Sequence, residues 1–68
     1  MDLYLTVEEM HLLYIYDTGV RSTTIDEINT AMPYFDDQDL YDIAESVVDK
    51  LRKMNDYEFD ELDIYTDL

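Results

Sequence analysis

The chain has 68 residues and no cysteine, and its 18 Asp and Glu residues against 4 Lys and Arg give a formal net charge of -14 at pH 7. This length predicts one domain spanning residues 1–68, and the lack of thiols excludes a disulfide framework and a thiolate metal site. A field of this sign repels nucleic acid and anionic lipid and attracts basic proteins. Composition therefore argues against direct nucleic-acid binding and favours a protein partner.

From the opening residues and the apolar runs we expect neither a secretion signal nor a membrane span. The opening stretch, MDLYLTVEEM, lacks the basic and apolar regions of a secretion signal. The longest apolar run, residues 12–16, is far shorter than a membrane span. Because the absence of cysteine also fits a reducing compartment, we expect a cytoplasmic protein that does not insert into membranes.

The first predicted helix begins at a capping box, in which the Thr6 hydroxyl accepts from the Glu9 amide and the Glu9 carboxylate accepts in return. The helix covers VEEMHLLYIYD to about Asp17, and Gly19 follows where a left-handed residue commonly ends a helix. Apolar residues surround this helix on almost all sides, whereas a surface helix usually has one apolar stripe. We expect either that it is the central helix of the fold or that one of its sides is an interface.

The second and third helices are predicted from caps and periodicity. A second capping-box pattern from Thr24 to Glu27 indicates a shorter helix, which Pro33 stops or kinks. Asp36 or Asp37 is then the expected cap of a third helix with the clearest apolar stripe in the chain. The stripe consists of Leu40, Ile43, Ala44, Val47, Val48, Leu51 and Met54.

A short fourth helix completes the predicted fold. Asn55 and Glu58 form a third capping-box pattern, and the helix that follows would turn Phe59 and Leu62 inward. The final residues, DIYTDL, are expected to fray from about residue 64. The predicted fold class is all-α: a compact bundle of three helices plus a short C-terminal fourth helix. The alternative is a two-helix hairpin that needs a partner to complete its core.

The residues that could carry chemistry are few. His11 is the only histidine, and the sequence places no nucleophile or orienting group in an evident relation to it. Ser46 lies within the third helix, and Ser22 is expected in the loop before the second, and neither has a nucleophile motif around it. A chain with one glycine cannot form a glycine-rich phosphate loop. We expect no catalytic residue, no cofactor and no metal.

Four clustered carboxylates invite comparison with a calcium or magnesium site. They are Asp36, Asp37, Asp39 and Asp42. The cluster lacks the spaced aspartates, glycine and closing glutamate of a calcium loop. Carboxylates at the start of a helix are also stabilised by the helix dipole and the free amides. We interpret the cluster as structural, with weak divalent-cation binding as the alternative.

The segment DKLRKMND holds three of the four positive charges of the chain, on Lys50, Arg52 and Lys53. At the end of the third helix, cations complement the free carbonyls and the negative end of the dipole. Lys53 also follows Asp49 by four residues, a favourable spacing for an ion pair. We interpret this basic cluster as the end of a helix rather than as a phosphate-binding site.

Seven tyrosines are unusual in so short a chain. Tyrosine is enriched at protein interfaces because it buries area and keeps a polar tip, although a tiny domain also gains burial from aromatic residues. Tyr14 is expected in the core, whereas others lie beside carboxylates. The candidate partner surface consists of Tyr41, Tyr57, Glu58, Asp60, Glu61, Asp63 and Tyr65.

Three segments in this order resemble a known family: LYLTVEEMHLLYIYDTGVRSTTIDEI, MPYFDDQDLYDIAESVVDKL and KMNDYEFDELDIY. The chain resembles, over about residues 3–65, the small acidic proteins called putative transposon-transfer assisting proteins, carried by conjugative transposons and related elements of Firmicutes. The resemblance implies a cytoplasmic bacterial accessory protein, encoded with transfer machinery, that helps the element to move between cells. It supplies no catalytic or ligand residues.

Our first hypothesis is a non-enzymatic adaptor, a monomer or weak dimer, that supports conjugative transfer by binding a basic protein of the element or host. The alternative is a DNA mimic, whose carboxylates would be spaced like phosphates along one face and would occupy a DNA-binding groove. A third possibility is direct DNA binding through a helix-turn-helix. It conflicts with the charge, because the recognition helix would begin with the acidic cluster of residues 36–42.

The charge leads to one prediction about stability. Because like charges repel, the net charge of -14 opposes the compact state, and moderate salt, which screens this repulsion, should raise the melting temperature. Thermal unfolding followed by circular dichroism at low and moderate NaCl measures the effect. A melting temperature that does not change with salt would contradict the prediction.

Overall fold

The computed structural model describes residues 5–62. In this range the chain forms four α-helices and one 3-10 segment. They are α1 (Val7–Tyr16), α2 (Arg21–Ala31), the 3-10 segment Met32–Tyr34, α3 (Gln38–Lys53) and α4 (Asp56–Asp60). The prediction of an all-α bundle of three helices plus a short fourth is confirmed. The predicted fraying from about residue 64 falls outside the described residues.

Helix α1 begins at the predicted capping box. The Thr6 hydroxyl accepts a hydrogen bond from the Glu9 amide at 3.1 Å, and the Glu9 carboxylate accepts one from the Thr6 amide at 2.8 Å. The helix ends at Tyr16, because the backbone of Asp17 is extended. Gly19 follows with a φ of 88°, in the left-handed region that glycine adopts without a steric penalty. The chain turns there into α2.

Helix α2 begins one turn earlier than predicted, at Arg21. The prediction that Thr24 caps this helix is wrong, because its hydroxyl bonds backward along the chain. It donates to the Val20 carbonyl at 2.8 Å and accepts from the Thr18 amide at 3.1 Å. A threonine that bonds the carbonyl four residues earlier is compatible with a helical position. As a result Ser22, which we expected in the loop, lies within α2.

The passage from α2 to α3 follows the predicted signals. Pro33 lies in the 3-10 segment that terminates α2, as expected for a residue that cannot continue an α-helix. Asp37 caps α3, and its carboxylate accepts from the Asp39 amide at 2.9 Å. The chain therefore enters α3 at one of the two aspartates that we predicted.

Helix α3 is the central element, since α1 and α2 both pack against it. Both run in the opposite direction to α3. Arg21 at the start of α2 donates to the Leu51 carbonyl near the end of α3, while Tyr16 at the end of α1 contacts Phe35 just before α3. The buried apolar residues are Leu5, Leu12, Leu13, Ile25, Ile28, Met32, Ala44, Val47, Val48, Leu51, Met54 and Phe59.

The predicted apolar stripe of α3 supplies the middle of this core. Five of its residues are buried, and Ile43 is partly buried against them. Leu40 is the exception, because 37% of it remains exposed in the first turn of the helix. The stripe therefore extends beyond the core at its N-terminal end.

Helix α1 is not the central helix, so the first of the two alternatives that we considered for it is wrong. Its buried residues lie on one side, whereas Tyr14 is 49% exposed and Ile15 is 71% exposed. Tyr14 is accordingly not a core residue. The physical reason is that the helices that pack most extensively against α1 are α3 and α2, and they cover the side that carries its buried residues. An apolar side of α1 therefore faces solvent.

Helix α4 begins at the third capping box, as predicted. The Asn55 side-chain oxygen accepts from the Glu58 amide at 2.8 Å, and the Glu58 carboxylate accepts from the Asn55 amide at 2.9 Å. Phe59 is buried, and Leu62 packs partly buried against the same core. These contacts connect a very short helix to the bundle.

Arg21 joins three helices at one end of the bundle. Its Nε donates to Asp56 at 2.8 Å, and its Nη1 donates to the Leu51 carbonyl at 3.1 Å. The guanidinium thus connects the start of α2, the end of α3 and the start of α4. The planar guanidinium carries several donors, so it can bond these two separate acceptors at once.

Two alanine substitutions on α1 test which side of it is packed. Leu13 is fully buried, so Leu13→Ala should lower the free energy of unfolding by about 2–5 kcal/mol. Ile15 is largely exposed, so Ile15→Ala should change it by less than about 0.5 kcal/mol. Urea unfolding followed by circular dichroism measures both values. Equal losses in the two variants would mean that α1 is covered on both sides.

Candidate functional site

One buried carboxylate links α1 to α3. Glu9 is only 5% exposed. Its Oε1 accepts from the Thr6 amide at 2.8 Å and from the Lys50 ammonium at 2.7 Å, and its Oε2 accepts from the Ser46 hydroxyl. The local box with Thr6 was predictable, but the contact with Lys50 joins positions 41 residues apart, and no local pattern indicates it.

The Glu9 carboxyl is held in its ionised form. Burial by itself raises the pKa, but hydrogen bonds from Lys50, Ser46 and the Thr6 amide, together with the charge of Lys50, outweigh burial and lower the pKa below its ordinary value. The group is therefore a carboxylate at neutral pH, and it is satisfied by three donors. This makes it a structural anion rather than a general acid.

The basic cluster does not converge on a common point. Lys50 turns toward Glu9 on the α1 side of α3, and Lys53 pairs with Asp49 at 3.0 Å, as the four-residue spacing predicted. Arg52 faces the α2 side, where it lines a depression of about 310 Å³ together with Tyr41. Because Lys50 and Lys53 are each paired with a carboxylate and Arg52 faces another side of the helix, the three cations do not form a phosphate-binding site.

The three residues considered for catalysis lie on three different helices, α1, α2 and α3. His11 is exposed on α1, and Ser22 is exposed on α2. The Ser46 hydroxyl donates to Glu9, so it is a structural donor to a carboxylate that Lys50 also holds. The Glu9 carboxylate beside Ser46 also accepts from Lys50 and from the Thr6 amide, so it is held as a structural anion and is not placed as a free base for the serine.

The acidic cluster at the start of α3 is explained by local hydrogen bonds. Asp37 accepts from the Asp39 amide, and Asp42 accepts from the Gln38 side chain at 2.9 Å. Within residues 5–62, no three His, Asp or Glu side chains are grouped closely enough to hold a metal ion. The cluster stabilises the first turn of α3.

The candidate partner surface is only partly assembled. Tyr57, Glu58, Asp60 and Glu61 lie together on α4, and we call these four residues the α4 surface. Tyr57 is 71% exposed, and the three carboxylate residues are exposed as well.

The other predicted members of that surface are not part of this group. Tyr41 lies in the first turn of α3, about 18 Å along the helix from Lys53 and therefore at the opposite end from α4. Tyr41 is also half-buried, so it offers less area to a partner than Tyr57 does. Asp63 and Tyr65 fall outside the described residues.

An apolar groove, which the sequence did not locate, lies between α1 and the start of α3. Its volume is about 290 Å³. We call it the α1–α3 groove, and its apolar lining consists of Leu12, Ile15, Tyr16, Phe35, Leu40 and Ile43. Glu8 and His11 are its polar lining residues. The Tyr16 and Phe35 rings, with centroids 6.4 Å apart, connect its two walls.

The chain matches one known protein family over most of its length. A model of the family described as "Putative transposon-transfer assisting protein" matches residues 5–66. The chain belongs to this family. The resemblance that the sequence suggested is therefore confirmed, and the match covers α1 to α4 with both surfaces just described. No curated protein and no solved structure matches the chain.

Membership of the transposon-transfer assisting family gives a general role, which is to assist the transfer of a transposon. The family description names no ligand, substrate or partner. Between Leu5 and Leu62, none of the helices has both the length and the hydrophobicity needed to cross a bilayer.

The Glu9 contacts predict a pH dependence of stability. The pKa of Glu9 is lower in the folded than in the unfolded chain, so the contribution of its ionised form to stability is complete above the ordinary pKa of a glutamate and is lost as the pH falls through the folded pKa. At pH 7, Glu9→Gln should lower the free energy of unfolding by about 1–3 kcal/mol, because it weakens the contacts with Lys50 and Ser46. Urea unfolding at neutral and acidic pH measures the difference.

The control is Glu8→Gln, which removes the neighbouring exposed carboxylate. It should change the free energy of unfolding by less than about 0.5 kcal/mol at either pH. The difference in the free energy of unfolding between wild type and Glu9→Gln should become smaller at acidic pH. A difference that stays constant with pH would show that the ionised form of Glu9 does not stabilise the fold.

Proposed function

We propose that this member of the family assists transposon transfer as a non-enzymatic adaptor, which binds a basic protein of the element or its host through the α4 surface. The observation that carries the proposal is the high exposure of Tyr57 beside three exposed carboxylate residues on one short helix. A tyrosine in this position can bury its ring on a partner and keep its hydroxyl hydrogen-bonded. The adjacent carboxylates attract Lys and Arg and speed the encounter.

The attachment of α4 to the bundle supports this role. The capping box at Asn55, the buried Phe59 and the pair between Arg21 and Asp56 all hold the helix in place before binding. A surface that is already ordered loses less conformational entropy on association. The α4 surface is therefore suited to bind without refolding.

The charge distribution supports a basic partner. Residues 36–68 contain twelve carboxylates and three cations, and residues 1–35 contain six and one. Lys50 and Lys53 pair with Glu9 and Asp49, so part of the positive charge near α4 is already neutralised. An acidic half of this kind repels nucleic acid and attracts proteins that bind nucleic acid.

The distribution of carboxylates favours an adaptor over a DNA mimic. Mimicry requires acidic groups spaced like phosphates along one face. The exposed carboxylates instead occur on all four helices and in the link before α3. On α3 the row of Asp42, Glu45 and Asp49 is followed directly by Arg52 and Lys53, which interrupt an anionic track.

Crosslinking and pull-down in cells that carry the element test the proposal. Wild type should recover a basic transfer or nucleic-acid-processing protein. The triple variant Tyr57→Ser, Asp60→Asn, Glu61→Gln should recover about tenfold less of it, because it removes the exposed ring and two charges. Glu58 stays unchanged in this variant, since its carboxylate caps α4.

A control with the same three types of substitution is available elsewhere on the surface. Tyr34→Ser, Asp26→Asn, Glu27→Gln changes one exposed tyrosine and two exposed carboxylates on and after α2. It should recover the partner as wild type does. Equal losses in both triple variants, full recovery with the α4 variant, or no transfer-related protein with wild type would each overturn the proposal.

A further inference from the structure

We propose that the α1–α3 groove is a second docking site, which takes an amphipathic helix with an apolar face and Lys or Arg flanks. The inference rests on the proposed function to the extent that the partner is a basic protein. It concerns a different surface, however, and names the structural element that would bind there.

The groove leaves large aliphatic side chains exposed to solvent. Ile15 is largely exposed on one wall, and Leu40 is the exposed end of the α3 stripe on the other. Between them lie the Tyr16 and Phe35 rings. Contiguous apolar surface of this kind on a small soluble domain indicates a site of interaction.

The dimensions of the groove favour protein side chains over an enclosed small ligand. Its volume of about 290 Å³ lies at the lower edge of the roughly 300–1,000 Å³ typical of pockets for drug-sized molecules. Its α1 wall runs from Glu8 to Tyr16, about 12 Å or two turns. A helix lying along such a wall places apolar anchors at positions i, i+4 and i+7 in the groove.

The flanks of the groove determine the charge of its occupant. Glu8 lines it, and Asp36 and Asp39 are exposed beside Phe35 and Leu40 in the sequence. None of the lining residues is Lys or Arg, and His11 is the only titratable base among them. A partner helix with lysines or arginines beside its apolar anchors would therefore be attracted by these carboxylates, and no Lys or Arg in the groove lining would repel it.

A second copy of the chain is a poorer occupant. Each copy carries a net charge of -14, so self-association would bring acidic flanks together. Three of the four cations also pair with carboxylates of their own chain, namely Arg21, Lys50 and Lys53. Charge complementarity therefore assigns the groove to a basic helix.

The groove and the α4 surface can be occupied at the same time. Leu40 and Ile43 lie in the first half of α3, whereas α4 follows its last residue. The helix between them has 16 residues and is about 24 Å long. Substitutions in the groove and on α4 can therefore be tested independently.

The test is a titration of the ¹⁵N-labelled full chain with a synthetic amphipathic helix of about four turns, with leucines spaced at i, i+4 and i+7 and lysines on the flanks. We expect saturable amide shifts at His11, Ile15, Leu40 and Ile43, with α4 unaffected. Ile15→Ser should weaken binding about tenfold, because the aliphatic contact is lost. Val20→Ser removes an exposed aliphatic residue outside the groove and should leave the affinity unchanged.

Two control peptides separate the apolar and the charged contributions. A scrambled peptide of the same composition should not give saturable shifts in the groove. A peptide with glutamates in place of the lysines should bind much more weakly. Binding of the glutamate peptide as tight as that of the lysine peptide would overturn the assignment of a basic occupant.

Other results would overturn the docking site itself. These are shifts confined to α4, an affinity unchanged by Ile15→Ser, or a dimer in sedimentation equilibrium that Ile15→Ser dissociates. The two proposals fail separately. If the peptide does not bind but partner capture still depends on Tyr57, Asp60 and Glu61, the groove proposal alone is refuted. If the peptide binds in the groove but partner capture does not depend on these three residues, the α4 proposal alone is refuted.

Discussion

The position of α1 depends on the Glu9 carboxylate. Its two oxygens accept from the start of α1, from Lys50 and from Ser46, so they connect the helix to α3 and leave no acceptor buried without a donor. Loss of one donor would destabilise the fold, because the remaining donors would compensate less of the desolvation of the buried charge. Beside this anion, Leu12 and Leu13 pack inward while Ile15 stays outside. The Glu9 contacts therefore hold the α1 wall of the α1–α3 groove against α3 at its Glu8 end.

Local rules predicted the caps whose partners are local. The boxes at Thr6 and Asn55 join residues three apart, and both form. The similar pattern at Thr24 failed, because spacing does not show whether a hydroxyl bonds forward to an amide or backward to a carbonyl. The earlier start of α2 also accompanies contacts of Arg21 with positions 30 and 35 residues away, which no short window contains.

The candidate surfaces also differ in how far the sequence could predict them. Composition identified the tyrosine and carboxylates of α4, because exposure is the default for a polar residue on a short terminal helix. It also included Tyr41, although the predicted length of the third helix already places that residue at the opposite end from α4. The apolar surroundings of α1 indicated either burial or an interface. Only the central position of α3 showed which side of α1 remained open, and so where the groove lies.

The direction of the helices also makes the molecule electrically one-sided. Arg21 starts α2 and contacts the end of α3, and residues 50–53 hold the other three cations, so all four lie at the same end. The opposite end carries Asp36, Asp37 and Asp39 with no Lys or Arg among them. The carboxylates at this end attract a basic protein without neighbouring cations to offset them, whereas the carboxylates of the α4 surface lie at the end that also holds the cations. The two ends of the molecule therefore attract a basic partner to different degrees.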